Sequence, residues 1–165
     1  EPSLRFEIVP VNDLYDERES VMRSLGREVD VVQSSFSTPR WGDACQKLRI
    51  VTVPFYIDVP RTSRLARKTR ITVADLEDMR LRLLRHGNDA MDSLRIDLLA
   101  DGGVDVIDVD SFDFALFNEA EEKGDAVLTC GAWSCGREVP VFLHYPLEPT
   151  LQVQKFVNAM AQLLK

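Results

Sequence analysis

The sequence predicts a single α+β domain, residues 1–165, with several helices packed on a mainly antiparallel sheet. Three observations lead there. The apolar fraction is 45% against 28% charged residues, the balance of an ordinary globular chain with enough length for a sizeable core. Runs of period two, as in Leu4, Phe6 and Ile8, mix with runs of helical period, as in Val153, Phe156, Val157, Met160 and Leu164. The two kinds follow one another without regular strand–helix–strand alternation, which favours antiparallel pairing over a parallel sheet.

Taken in order, Leu4 to Ile8 reads as a half-buried strand closed near Pro10. Leu14, Val21, Met22 and Leu25 have helical spacing, and Gly26 stops that helix. Val29 to Val32 reads as a short strand, and Ser34 to Gly42 as a loop rich in Ser, Pro and Gly. Leu48 to Val59 is β-branched and aromatic, hence a strand, with Pro54 marking a bulge or an edge. The basic run from Arg61 to Arg70 reads as a loop or strand end. Thr72 opens a helix through an approximate capping box with Asp75, with Leu76, Met79, Leu83 and Leu84 as its buried stripe and Gly87 as its end. Leu94, Ile96 and Leu98 alternate with Arg95 and Asp97, and Val104 to Val109 follows after Asp101-Gly102-Gly103. That pattern predicts a β-hairpin, with a bulge at Val106-Ile107. Phe112 to Lys123 reads as a helix capped by Ser111 and stopped by Gly124. Ala126 to Thr129 and Val139 to Tyr145 read as strands, and Thr150 caps a final helix.

Charge is unevenly distributed. Nine acids fall between Asp101 and Asp125 against Lys123 alone, a formal −8 in a chain whose total is −7. Residues 1–85 carry 15 basic against 13 acidic side chains, and residues 86–165 carry 5 against 14. Clustered like charge costs folding energy, so attraction to a basic partner is the expected gain. An acidic chain does not suit direct nucleic-acid binding, although Arg61, Arg64, Arg67, Lys68 and Arg70 form a basic run free of acids. No apolar run approaches the roughly 20 residues that span a bilayer, so no membrane role is expected. The first residues lack the order of a signal peptide, and three cysteines do not make a disulfide framework, which together favour the cytoplasm.

Chemical motifs are weak. Asp108, Asp110 and Glu119 occupy positions one, three and twelve of a calcium loop, but Phe112, Asp113 and Leu116 stand at five, six and nine, where that loop needs oxygen ligands and a glycine. Cys130 and Cys135 flank a Gly-containing turn and could supply two corners of a zinc tetrahedron, with Cys45 and His144 as the remaining candidates. The same side chains with His86 are too few and too scattered for a Cys–His hydrolase. No phosphate-cradling glycine loop is present. No cofactor and no enzymatic activity are expected.

The segment Gly124-Asp125-Ala126-Val127-Leu128-Thr129-Cys130-Gly131, followed by Cys135-Gly136, resembles small acidic bacterial immunity proteins of polymorphic-toxin and contact-dependent growth inhibition systems. The resemblance covers about the last third of the chain, and Ala132-Trp133-Ser134 departs from the more Gly-rich turn of that group. It implies a cytoplasmic, non-enzymatic protein that neutralises a cognate toxin, for example a nuclease with a basic phosphate-holding surface. The expected contact set is Asp105, Asp108, Asp110, Asp113, Glu119, Glu121 and Glu122, with Trp133, Phe112 or Phe117 as apolar anchors. Changing Asp108, Asp110 and Asp113 to Lys is then expected to slow partner binding and leave the domain folded. A self-assembling interaction subunit, or a zinc module built on Cys130 and Cys135, are the alternatives.

Overall fold

The computed structural model describes residues 5–11, 15–35, 39–85, 89–130 and 138–164. The elements in chain order are α1 (Tyr15–Ser24), β1 (Val32–Ser34), the short turn α2 (Pro39–Gly42), β2 (Gln46–Asp58), two 3-10 turns (Arg64–Arg67 and Val73–Leu76), β3 (Arg80–Leu84), α3 (Asp89–Asp101), β4 (Asp105–Val109), α4 (Phe114–Lys123), β5 (Ala126–Cys130), β6 (Glu138–Tyr145) and α5 (Leu151–Leu163). The strands form a sheet of order β1-β6-β2-β5-β3-β4. Mixed helix and strand of the α+β class is what the sequence predicts.

Chain contacts separate into two compact units, Glu1–Val51 with Val141–Lys165, and Thr52–Pro140. The chain passes from one to the other twice, within β2 and within β6.

In the first unit β1 runs antiparallel to β6, with Val32 opposite His144. Helix α5 starts at Thr150, whose hydroxyl accepts from the Val153 amide at 3.3 Å, and it buries Val153 and Val157 against Tyr145. Helix α1 ends at Ser24, and Gly26 follows with φ +82. A β-carbon there would stand 3.0 Å from Pro146, so both backbone and neighbour select glycine. Residues 5–11 form no strand: Phe6, Ile8 and Val9 are exposed, and Phe6 meets the Phe156 ring edge-on at 5.3 Å. Alternation alone does not make a strand when no partner offers its backbone groups.

The second unit departs further from what the sequence predicts. Residues 80–84, expected on a helix opened at Thr72, form strand β3, with only the 3-10 turn Val73–Leu76 before it. The capping box between Thr72 and Asp75 does form, but it caps that single turn. Residues 94–98, expected as the first strand of a hairpin, lie inside helix α3. Met91, Leu94 and Leu98, at helical spacing, are buried, whereas Ile96 and Leu99 are exposed. Gly102-Gly103 therefore joins a helix to a strand. β4 pairs in parallel with β3, Leu81 opposite Val106 and Leu84 opposite Val109. β5 pairs in parallel with the other side of β3 and antiparallel with β2. The run β3-α3-β4-α4-β5 is thus two parallel crossovers around a central β3, where the sequence suggests mainly antiparallel pairing.

Candidate functional site

The parallel layout of the second unit determines where side chains converge. From β3 the chain goes to β4 on one side and returns to β5 on the other, so the carboxyl ends of β3 and β5 flank a switch point of the kind that receives ligands in open α/β sheets. Beside it, at the carboxyl ends of β3 and β4, lie Leu84 with Arg85 and Val109 with Asp110 and Ser111. The Arg85 amide donates to the Val109 carbonyl at 2.8 Å, extending the ladder by one residue. Arg95 of α3 donates to the Leu84 carbonyl at 2.7 Å and also pairs with Asp108. Arg85 reaches Asp110 at 3.5 Å and Asp108 at 4.0 Å. Edge carbonyls, two guanidiniums and two carboxylates therefore meet within a few residues of one another.

From this edge a shallow groove of about 490 Å³ follows α4 over β3 and β4, lined by Ser111 and Asp113 at one end and by Arg80 and Lys123 at the other. Helix α4 starts where Asp113 accepts the Leu116 amide at 2.8 Å, so the cap is Asp113 and not the expected Ser111. It stops at Gly124, with φ +75, as the sequence indicates. Leu116 and Ala120 fix the helix against Val127.

Beneath the groove lies a buried ion cluster. Asp125, 1% exposed, takes Arg82 on one oxygen through Nε at 2.9 Å and Nη2 at 2.8 Å, and Arg80 on the other at 2.7 Å. Arg82 also pairs with Glu119 at 3.0 Å, and Lys123 reaches the same carboxylate at 2.5 Å. Those two cations hold Glu119 down to about pKa 2, the Arg82 hydrogen bond contributing most. The same Glu119 bond, against the opposing effect of burial and with help from Asp125, raises Arg82 above its ordinary value.

The structure thus distributes the expected contact residues among separate tasks. Asp108 and Asp110 answer Arg85 and Arg95, Asp113 caps α4, Glu119 answers Arg82 and Lys123, and Glu121 accepts the Arg61 backbone amide at 3.2 Å. Glu121 is also a neighbour of Asp58, whose carboxyl is raised first by burial and then by that charge. Asp105 and Glu122 are exposed, and Trp133 lies outside the described residues. Of the other expected anchors, Phe112 and Phe117 are half-buried and pack on the Leu116 cluster. Arg85 and Arg95 carry the edge chemistry, yet the sequence does not single them out, because their partners stand 13 to 25 positions away.

The metal and hydrolase motifs fall only partly on described residues. Asp108 and Glu119 face different cations and share no calcium loop. Among the described residues no three His, Cys, Asp or Glu side chains are placed to hold a metal. Cys135 and His86 fall outside the described residues, as does the side chain of Cys130. In the first unit Cys45 Sγ lies 3.6 Å from His144 Nδ1 and 3.4 Å from the Trp41 carbonyl, and Trp41 donates to Glu19 at 2.8 Å. His144 is fully buried, not solvent-facing. Burial pushes the Cys45 thiol up, against a smaller pull from Lys47, so it is not a poised nucleophile. No helix among the described residues is long and apolar enough to cross a membrane.

No family model and no curated protein matches the chain. Solved structures do. The regulatory domain of CcmR from Synechocystis PCC6803, in complex with 2-PG, is similar with TM-score 0.62 at 14% identity, over 89% of this chain and 79% of that one. CbnR, a LysR family transcriptional regulator, is similar with TM-score 0.68 at 16% identity, over 89% of this chain and 57% of that one. The effector binding domain of QuiR, in complex with shikimate, is similar with TM-score 0.67 at 11% identity, over 88% and 77%. At these identities the shared property is the fold. Proteins of this fold include a regulatory domain and an effector binding domain, and the likeness overturns the resemblance to immunity proteins of toxin–antitoxin and contact-dependent growth inhibition systems. The short motif behind that resemblance covers strand β5 and residues that lie outside the described ones, a local pattern with no hold on topology. The toxin-neutralising role and the cognate toxin partner fall with it, and three of the seven acids meant for a toxin, Asp108, Asp110 and Glu119, answer cations of their own chain.

Proposed function

We propose that this chain is the effector-binding part of a transcription regulator, taking up a small polar molecule non-covalently and doing no chemistry of its own. The observation that carries the reading is the fold shared with the regulatory domain of CcmR and the effector binding domain of QuiR over 88–89% of the chain, both of those in complex with small molecules. A regulator of transcription works where the genome is, which in a bacterium is the cytoplasm.

The carboxyl edge of the second unit supports a polar ligand. Arg85 offers a guanidinium with five donors, Asp110 an acceptor, and Ser111 a hydroxyl that serves as either. Arg85 is half exposed, and Asp110 is more exposed still, so a ligand can displace their loose mutual pairing without stripping a buried charge. A compound carrying both a carboxylate and a hydroxyl or amine matches this set.

The test is thermal unfolding in the presence of a panel of small hydroxy acids, amino acids and sugar acids. A ligand at a hundred times its dissociation constant adds about 2.7 kcal/mol to the stability of the folded state. A saturable rise in Tm for one chemical class, weakened by Arg85→Ala, is the expected outcome. A panel that leaves Tm unmoved at millimolar concentration contradicts the reading.

A further inference from the structure

We propose that the basic turn at residues 61–70 is a contact surface for the phosphate backbone of duplex DNA. It uses the guanidiniums of Arg61, Arg67 and Arg70, which make no ion pair or hydrogen bond among the described residues.

The contrast with the rest of the second unit carries the inference. Arg80, Arg82, Arg85 and Arg95 are each bonded to a carboxylate of the same chain. In the turn, the hydrogen bonds and ion pairs of the local acids go to its backbone and its other two cations. Asp75 takes Lys68, its carbonyl accepts from Arg64 at 3.3 Å, and its second oxygen closes the box with Thr72 at 2.9 Å. Glu121 accepts the Arg61 backbone amide, not its guanidinium. Three guanidiniums remain exposed with no carboxylate at ion-pair distance among the described residues, on a segment that contains no acid; Asp58 before it feels the charge of Arg61 as the weakest of its influences.

The segment is also pre-organised. Leu65, 1% exposed, pins it to the core, Ser63 accepts the Leu65 amide at 3.2 Å, and the Lys68 amide closes on the Leu65 carbonyl at 2.9 Å. Holding the backbone in one shape lowers the ordering cost of a contact.

The composition of the turn selects among anionic partners. Four of its five cations are Arg, whose planar fork matches phosphate oxygens in pairs. It holds no aromatic ring, so it lacks the stacking platform of single-strand and RNA readers. Its large apolar residue, Leu65, is buried, so it presents neither a wedge for a lipid surface nor an anchor for an acidic protein. What is left is contact with a regular phosphate array, independent of base sequence. The net charge of −7 opposes approach at long range, but salt screens charge beyond about 8–10 Å, so local contacts decide. The inference is independent of the effector reading: the turn would bind DNA whether or not the carboxyl edge takes a small molecule.

The experiment follows the Arg Nε–Hε NMR signals of this chain during titration with a short duplex of mixed sequence at about 50 mM salt. Shifts at Arg61, Arg67 and Arg70 are expected. Three phosphate contacts make the dissociation constant rise about sixfold when salt doubles, and the triple variant R61A/R67A/R70A loses that dependence. Absence of shifts at millimolar duplex overturns the proposal. So does undiminished binding by the triple variant, or an equal response to anionic vesicles or polyglutamate. Mapping on the unaltered chain keeps the outcome independent of how the variant folds.

Discussion

Asp125 sits between two guanidiniums at 1% exposure, and Arg82 keeps only 6% of its side chain in contact with solvent. Removing one member of such a pair leaves the other charged and desolvated, which costs about 3–5 kcal/mol. Asp125→Ala is therefore expected to lower the unfolding free energy in urea by that amount, and a loss below about 1 kcal/mol would mean that the pair is hydrated in solution. Glu119 makes a different contribution. Its folded pKa of about 2 lies below the ordinary 4.5, so its stabilising pairing is complete above that ordinary value and is lost as pH falls through the folded one. Unfolding free energy should decline between about pH 4.5 and 2, and Glu119→Gln should flatten the decline in that window. An unchanged profile in the variant would show that Arg82 and Lys123 do not hold the carboxylate. At this scale the sequence shows the acids but hides their counter-ions. Arg82 and Asp125 are 43 positions apart, and nothing in composition pairs them.

Helix α3 shows how an element is misread. Leu94, Ile96 and Leu98 satisfy a strand period, while Met91, Leu94 and Leu98 satisfy a helical one, and only the second set is buried. Leu98→Ala should cost about 2–5 kcal/mol, whereas Ile96→Ala on the exposed face should stay within about 0.5 kcal/mol. Comparable losses at both positions would mean that 94–98 alternates as a strand after all. β3 is hidden for a related reason. Arg82 is buried inside Arg80–Leu84 through its pairing with Asp125, and a charged residue between leucines mimics an amphipathic helix. The legible elements carry their own punctuation: Gly26 after α1, Gly124 after α4 and Thr150 before α5 mark boundaries that the structure keeps. β2 and β6 are legible from β-branched and aromatic content. Strand direction is not, because parallel pairing is set by where α3 and α4 return the chain. The starts of β3, β4 and β5 at Arg80, Asp105 and Ala126, each followed or preceded by a helix, are the repeat that could reveal it.

For the molecule as a whole, Asp108, Asp110, Glu119 and Asp125 of the acidic tract serve as counter-ions within the second unit, where the sequence suggests a face turned toward a basic protein. The two possibilities differ in what they expect of one variant. D108K/D110K/D113K sets like charges against Arg85 and Arg95 and removes the cap of α4, whose loss alone is worth about 1 kcal/mol. The expected result is a loss of about 1–3 kcal/mol in denaturant unfolding, where a free docking surface would leave stability unchanged. The class of the fold follows from composition and mixed periodicity, but its likeness to CcmR, CbnR and QuiR does not, since those structures share only 11–16% of their residues with this chain. What links them is the path of the backbone, at TM-scores of 0.62 to 0.68. The most direct measurement is an NMR map of the backbone amides with a small polar ligand that raises the Tm. An effector site at the strand ends predicts saturable shifts centred on Leu84, Arg85, Val109, Asp110 and Ser111, at the carboxyl ends of β3 and β4. Shifts confined to the outer face of α4 at Glu122, with the strand ends silent, would contradict it.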